Sequence, residues 1–345
     1  MTPKPARGAA IRMADVARAV GVSAMTVSRA FKGDESVNPQ TRDRILRKAE
    51  ELGYVFDARA ANLRQNRTGF VAVTVPALNS ANFAETVRAL TEGLAREGLQ
   101  ILLANTEYDP VEEEAAIAQL LRRKPEAVVL TGGQHTPRTR QMLAASGLPI
   151  VQLWDLPENP LNHVVGFSNA ASIGLLVEHL VARGRRRIGF LGGDSERDPR
   201  GRQRRAGFVA AMARHGLGAD RLAPLGEPPI AMAAGAQALD ALLARYPDTD
   251  AVIGVSDLVA FGALAECQRR GIEVPGALAL AGFGNYEIGA VCAPRLTTVD
   301  VHAGRIGAEA AMLVAGLLNG QAAHPPRRVV LPPELIIRET TPALR

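Results

Sequence analysis

The sequence predicts an α/β protein: a two-lobed body of consecutive strand–helix units behind a small all-α headpiece. Three observations lead there. From Gly69 onward, apolar runs of strand length alternate with helical stretches. The alternation falls into two consecutive series, which reads as two parallel sheets with helices on both faces. Residues 1–68 instead show helical periodicity and hold thirteen basic against seven acidic side chains, a net of +6, where the whole chain is +5. Residues 69–345 are then at −1, so the positive excess sits in one fifth of the chain. That asymmetry points to a module for nucleic acid or another anionic surface. A basic tail kept for solubility is the plainer alternative.

Composition narrows the class. At about 100–200 residues per domain, 345 residues suggest two or three domains. With 47% hydrophobic and 22% charged residues the chain is an ordinary globular sequence. No apolar run approaches the roughly 18 residues that span a membrane. The opening MTPKPARGAAIRM lacks the apolar core of a secretory signal. Cys267 and Cys292 cannot form a disulfide framework, and no Cys/His cluster has zinc spacing. A cytoplasmic protein without metal or cofactor is expected.

In the headpiece, Met13, Val16, Ala17 and Val20 lie at helical spacing, and Gly21 supplies a residue that tolerates φ > 0 at a turn. Ser23 is a good N-cap for a second helix from Ala24 to Phe31. Small Ala17, turn Gly21 and apolar Val27 fall at positions 5, 9 and 15 of the window 13–32, the spacing of a DNA-binding helix-turn-helix. Asn38-Pro39 then opens a third helix that runs to Leu52 and stops at Gly53. Headpiece 1–53 is followed by 54–68, YVFDARAANLRQNRT, which is basic and too poor in apolar residues for a core. It reads either as a flexible linker or as a helix that forms on DNA and wedges Leu63 into the minor groove.

The body, 69–345, begins with strands at 70–76, 99–106, 126–132 and 148–155, separated by helices at 83–97, 111–123 and 137–145. A second series opens with the strand 163–168 and continues with strands at 186–193, 250–257 and 276–284; its helices are 170–183, 202–215, 232–245 and 258–271. Ligands bind such sheets at the carboxyl ends of their strands, so two lobes can present those ends across a cleft. Enzyme motifs are scarce: no phosphate-binding GxxxxGK[ST], no GxSxG and no HExxH occurs. Gly282-Phe283-Gly284 lacks a third glycine and reads as a tight turn, and Glu112 to Glu114 read as a solvated first helical turn.

The motifs DVARAVGVSAMTVSRAF, ELGYVFDARAANL, Asp155, Ser256-Asp257, RRAGF at 204–208 and PRLTTV at 294–299 together resemble the LacI/GalR family of bacterial transcription regulators over nearly the whole chain. GQHTPRT (133–139), AFGALAECQRRG (260–271) and GFGNYEIG (282–289) are similar to its gluconate-operon repressor subgroup. The resemblance implies a periplasmic-binding-protein-like, Rossmannoid body with an N-lobe of about 69–165 and 299–325 and a C-lobe of about 166–298 and 326–345. It implies a homodimer, controlled by a small-molecule effector, that reads a pseudo-palindromic double-stranded operator. Ala24, Met25 and Arg29 would then face base edges, while Ser23, Thr26, Ser28, Asn38 and Thr41 bind phosphates or hold the turn. Leu63, with neighbouring Arg64, takes the place of the hinge leucine. Arg29 suits a bidentate pair with guanine and Met25 a thymine methyl; core packing is the other reading of Met25. Phe56 stands where proline is usual, which bears on the entry angle of the hinge.

For the cleft, the resemblance implies effector contacts from Thr131, Asp155, Arg204 and Ser256, with Phe83 and Asp257 completing the set. Gly284 departs from the aspartate that sugar-binding members carry, and the missing carboxylate favours a negatively charged effector such as a sugar acid. Its charged group is expected at Arg204, the one arginine of the stretch Arg197–Arg205 assigned to the cleft; Arg200, Arg202 and Arg205 are open between cleft and solvated loop. His135 and Arg138 add positive charge, or His135 lies on the surface. A regulator of carbohydrate or sugar-acid genes is the expected function. A sugar-binding protein of a transport system is the alternative, and the +6 headpiece and missing signal peptide argue against it.

Overall fold

A strand buried on both faces reads as a near-continuous apolar run, and FVAVTV, AVVLT and AVIG do, with no more than one threonine in any of them. Each is a central strand in the structure, a computed structural model that describes residues 11–56, 68–321 and 325–342. The chain divides into two compact units between Thr68 and Gly69.

Among the described residues, the first unit is three helices around one small core. Helix α1 (Met13–Val20) starts where the Arg12 N–H donates to the Asp15 carboxylate at 2.9 Å and stops at Gly21, whose φ of 73° few other residues adopt. Helix α2 (Ala24–Phe31) is capped by the Ser23 hydroxyl, which accepts from the Thr26 N–H at 3.1 Å. Helix α3 (Pro39–Leu52) is capped by Asn38, which accepts from the Gln40 N–H at 2.9 Å, and ends at Gly53. Val16, Ala17, Val27, Ala30, Val37, Ile45 and Ala49 form the buried centre. Phe31 extends it: Tyr54 meets its ring edge-on at 5.8 Å and Phe56 stacks on it at 4.9 Å. The residue that departs from the usual proline is thus anchored on the second helix. Residues 57–67, including Leu63 and Arg64, lie outside the described residues.

The second unit has two parallel sheets. The first takes β1 (Phe70–Val75), β2 (Gln100–Asn105), β3 (Ala127–Thr131), β4 (Ile150–Leu153), β5 (His163–Gly166) and β11 (Arg328–Val330) in the order β11-β5-β4-β3-β1-β2. Around it lie α4 (Ala81–Ala95), α5 (Pro110–Arg122), α6 (Pro137–Ser146) and α12 (Ala303–Leu318). Helices α4 and α12 pack closely because Gly307 faces the Thr86 carbonyl, where a Cβ would not fit. The second sheet has the order β7-β6-β8-β9, from β6 (Ile188–Leu191), β7 (Leu222–Ala223), β8 (Ala251–Gly254) and β9 (Ala279–Ala281). Its helices are α7 (Asn169–Ala182), α8 (Pro199–Arg214), α9 (Met232–Arg245), α10 (Asp257–Arg270) and the short α11 (Glu287–Val291). An antiparallel pair, β10 (Thr298–Asp300) with β12 (Glu334–Ile336), runs where the chain passes between lobes.

Two expectations about the lobes need correction. The strand at 163–168, expected to open the second series, is β5 of the first sheet, paired with β4. The segment 326–345, expected in the C-lobe, is divided: β11 pairs with β5, and Val164 N–H donates to the Arg327 carbonyl at 3.0 Å. Only after β12 does the chain return to the second sheet, where Leu280 N–H donates to the Thr340 carbonyl. Burial explains both. Without β11, β5 would leave an unpaired edge beside the apolar Val164 and Val165. Among the described residues, no helix is long and apolar enough to cross a membrane.

Candidate functional site

The first site is the outer face of α2. Val27 and Ala30 turn inward, and the residues between them turn out. Met25 is 52% exposed, which removes the core reading for it. Ala24 is exposed, and Thr26, Ser28 and Thr41 are half-buried. The Ser23 hydroxyl and Asn38 carboxamide are committed to their helix caps, so they hold the turns, and the same atoms lie on an exposed surface. Arg29 reaches out from the last turn of α2, 3.9 Å from Asp34, a loose pair that leaves the fork of the guanidinium free for an outside acceptor. Arg44 donates to the Val20 carbonyl and Arg42 to the Asp34 carbonyl, so part of the positive charge braces the fold.

The second site is a cavity of about 90 Å³ between the lobes. Strand ends meet there as expected of facing parallel sheets. Ser80, Asn82 and Phe83 come from the start of α4, Tyr108 from the loop after β2, and Trp154 from the end of β4. From the other lobe come Asp198, Arg200 and Arg204 at the start of α8, Ser256 after β8, and Phe283 and Tyr286 after β9. The aromatic floor is ordered: Phe83 meets Trp154 edge-on at 5.1 Å, and Trp154 meets Phe167 at 5.7 Å. Ser80 and Tyr286 join their hydroxyls across the lobes at 3.1 Å. Burial pushes the Tyr286 phenol up to about 12, against the opposing hydrogen bond from Ser80.

Arg204 is 9% exposed. Its Nη1 donates to Asn169 Oδ1 at 2.8 Å, its Nη2 lies 3.7 Å from Asp198, and its guanidinium covers the Phe283 ring at 4.5 Å. Burial draws its pKa down, and the Asp198 charge opposes that shift. Two buried donors of this site have no partner among the described residues: Arg204 Nε and Trp154 Nε1. A buried N–H without an acceptor is costly.

The predicted effector residues are divided by the structure. Phe83, Arg204 and Ser256 line the cavity. Thr131 and Asp155 line an adjoining pocket, with Arg200 and Tyr108 shared between the two. The Thr131 hydroxyl donates to the Thr74 carbonyl, and Asp155 accepts from Leu156 N–H and, across the lobes, from Gln203 at 3.3 Å. Asp257 is fully buried behind the cavity, accepting from the Thr298 hydroxyl at 2.6 Å and the Tyr286 N–H at 2.7 Å; it holds the loop that carries Tyr286. Gly284 has φ of 122°, and a Cβ there would lie 2.7 Å from Asn82 Nδ2. Backbone shape, beyond charge, therefore favours glycine at this position.

His135 and Arg138 are not at the cavity. Gln152 Oε1 accepts from the Leu161 N–H, so its amide nitrogen donates to His135 Nε2 at 3.0 Å. His135 Nδ1 lies 2.7 Å from the Glu113 carboxylate, so the buried ring braces Gln152 against Glu113. Arg138 is 73% exposed on its side chain and pairs with Glu114 at 3.6 Å. The acidic run is accordingly not all solvated, since Glu113 is buried on His135. Sequence reasoning missed Trp154, Tyr108, Asp198 and Tyr286, and left Arg200 open. The signals were there: the chain's one tryptophan stands beside Asp155, and Arg200 precedes Arg204 by one helical turn. Arg202 is out of the cavity, paired with Glu196.

Comparison with known proteins bears on both sites. Residues 12–57 match the bacterial regulatory proteins of the lacI family, and residues 177–341 match the periplasmic binding protein-like domain. The chain is 36% identical over 307 residues to the HTH-type transcriptional regulator GntR of Pseudomonas aeruginosa, covering 89% of each chain. It is 33% identical to GntR of Escherichia coli K12, covering 90% of this chain and 93% of that one. A crystal structure of a LacI-family transcriptional regulator from Silicibacter pomeroyi superposes with a TM-score of 0.87 at 33% identity, covering 96% of this chain and 99% of that one. The headpiece match removes the transport-protein alternative, because such a protein has no use for a DNA-reading module. The chain belongs to the LacI family of bacterial regulatory proteins and is a helix-turn-helix transcriptional regulator, not an enzyme.

Proposed function

We propose that the protein is a cytoplasmic, homodimeric repressor of sugar-acid utilisation genes, released from or fixed to its operator by a sugar acid bound between the lobes. On this reading two headpieces read the half-sites of a pseudo-palindromic operator through Ala24, Met25 and Arg29, with Ser23, Thr26, Ser28, Asn38 and Thr41 on the phosphates. Residues 54–68 connect the reader to the body, with Leu63 and Arg64 at the centre of the operator. Effector binding draws Phe83, Trp154 and Ser80 of one lobe toward Arg204, Ser256 and Tyr286 of the other, which alters the geometry that the body presents to the linker.

The observation that carries the effector part is the charge of one cavity: among the described residues it is lined by two guanidinium groups, Arg200 and Arg204, against one carboxylate, Asp198. A polyhydroxylated acid supplies an anion for that excess positive charge, together with a partner for the Ser256 hydroxyl. The subgroup motifs GQHTPRT and GFGNYEIG support the same class. The test is a thermal-shift screen of the full chain against neutral sugars, nucleosides and aldonates, followed by operator gel shifts with each stabilising ligand. Aldonates are expected to raise the melting temperature and to change operator affinity. Stabilisation by a neutral pentose or a nucleoside, with no response to acids, overturns the effector assignment.

A further inference from the structure

Among the described residues, three charged side chains line the cavity: the guanidinium groups of Arg200 and Arg204 and the carboxylate of Asp198. The phenols of Tyr108 and Tyr286 stay protonated because burial raises both. The fixed charge of the cavity is therefore +1, and its two cations are not equivalent. Arg204 is occupied by Asn169, Asp198 and the Phe283 ring. Arg200, one turn earlier on the same face of α8, is 6% exposed and has no carboxylate partner among the described residues. It lies over the rings of Phe83 and Tyr108, at 5.6 and 5.9 Å, and Gly132 gives its Nη1 the space that any Cβ would take. Ring faces offset only part of the cost of burying a guanidinium without an anion.

We propose that Arg200, rather than Arg204, receives the carboxylate of the effector, and that Asp198, by neutralising Arg204, limits the charge the cavity accepts to one. The proposal rests on the sugar-acid reading and deepens it: the ligand class is a singly charged aldonate, and phosphate esters are excluded. A phosphate ester of such an acid adds about −1.5 to −2 of further charge, which no second free cation among the described lining residues meets and which faces Asp198. The adjoining pocket gives it no refuge, since Asp109, Glu113, Asp155 and Glu196 outnumber Arg197 and Arg200 there. Polyol hydroxyls, which donate, suit that acidic side.

Calorimetry of the full chain with D-gluconate, 6-phospho-D-gluconate and D-glucose tests this, with thermal unfolding of each variant as the folding control. Wild type is expected to bind D-gluconate at least tenfold more tightly than either of the others. Arg200→Met is expected to lower D-gluconate affinity about ten- to a hundredfold, collapsing the preference over D-glucose. Asp198→Asn is expected to gain about tenfold or more for 6-phospho-D-gluconate, a gain that a misfolded protein does not produce. Unchanged D-gluconate binding in Arg200→Met, equal binding of the two acids by wild type, or no gain in Asp198→Asn overturns the proposal and leaves the sugar-acid reading standing. A wild type that binds D-glucose and no acid overturns both.

Discussion

Gly284→Ala separates two reasons for glycine at that position. The residue sits at φ 122°, a region that costs an L-residue about 1–3 kcal/mol. Its new methyl would meet Asn82 Nδ2 at 2.7 Å and the Tyr286 ring at 2.8 Å. Asn82 belongs to the opposite lobe, so the methyl is also a wedge between lobes. Against this, alanine restricts the unfolded chain, which returns about 0.4–1 kcal/mol. The expected net loss is about 1–2 kcal/mol, or a melting temperature lower by about 2–8 °C for a domain of this size. Scanning calorimetry of wild type, Gly284→Ala and Gly284→Asp measures it. Asparagine and aspartate are near-isosteric and share the tolerance of positive φ, so the difference between Gly284→Asn and Gly284→Asp in D-gluconate binding isolates the charge; aspartate is expected to bind at least tenfold more weakly than asparagine. An alanine variant as stable as wild type would falsify the backbone argument, and equal ligand affinity of the asparagine and aspartate variants would remove the charge argument.

Arg29→Ala should weaken operator binding by about 1–3 kcal/mol and relax discrimination at one symmetric base position, read by gel shift on single-base operator variants; equal profiles for mutant and wild type contradict the docking of α2. Phe31→Ala removes the edge contact with Tyr54 and the stack with Phe56, and should destabilise the headpiece by at least about 1 kcal/mol in urea unfolding followed by circular dichroism. Burial pushes the Asp257 carboxyl from 3.8 up to about 6, while Thr298, Tyr286 N–H and Arg338 oppose it. Between those values the folded protein keeps a proton that the unfolded chain has released. The stability this group contributes is thus full below about pH 4 and lost as pH rises through 6, about 3 kcal/mol in all. Asp257→Asn should flatten that part of the curve, and an unaltered slope in urea midpoints between pH 4 and 7 would rule the assignment out.

What was legible in the sequence follows the range of the forces involved. The headpiece is read from neighbours: Ala17, Gly21 and Val27 lie within one short window, and the α3 bounds are written by Asn38-Pro39 and Gly53. The central strands announce themselves by continuous apolar runs. The partner of β5 does not, because Arg328–Val330 is three residues long and its pairing depends on an edge left open far upstream. Arg200 and Arg204 could not be separated from their arginine neighbours by composition. Placing the helix start at Pro199 instead of residue 202 separates them, since positions 200 and 204 then share one face while 202 does not. The fate of His135 was beyond local reading, because Glu113 and Gln152 decide it from two other elements.

The late arrival of β11 has a consequence for how the protein is made. Arg327 meets His163 across 164 residues of chain, so the edge of β5 waits for its cover while that length is synthesised. At about 5–20 residues per second the wait is roughly 10–30 s. The three-helix headpiece has long since left the ribosome by then, and its contacts are local enough to form within it. A nascent chain can therefore carry a finished DNA reader tethered to a lobe whose sheet still lacks an edge strand. During that interval the open β5 edge is a template for pairing with other chains, and a chaperone that shields extended edges would act on this intermediate rather than on the finished regulator.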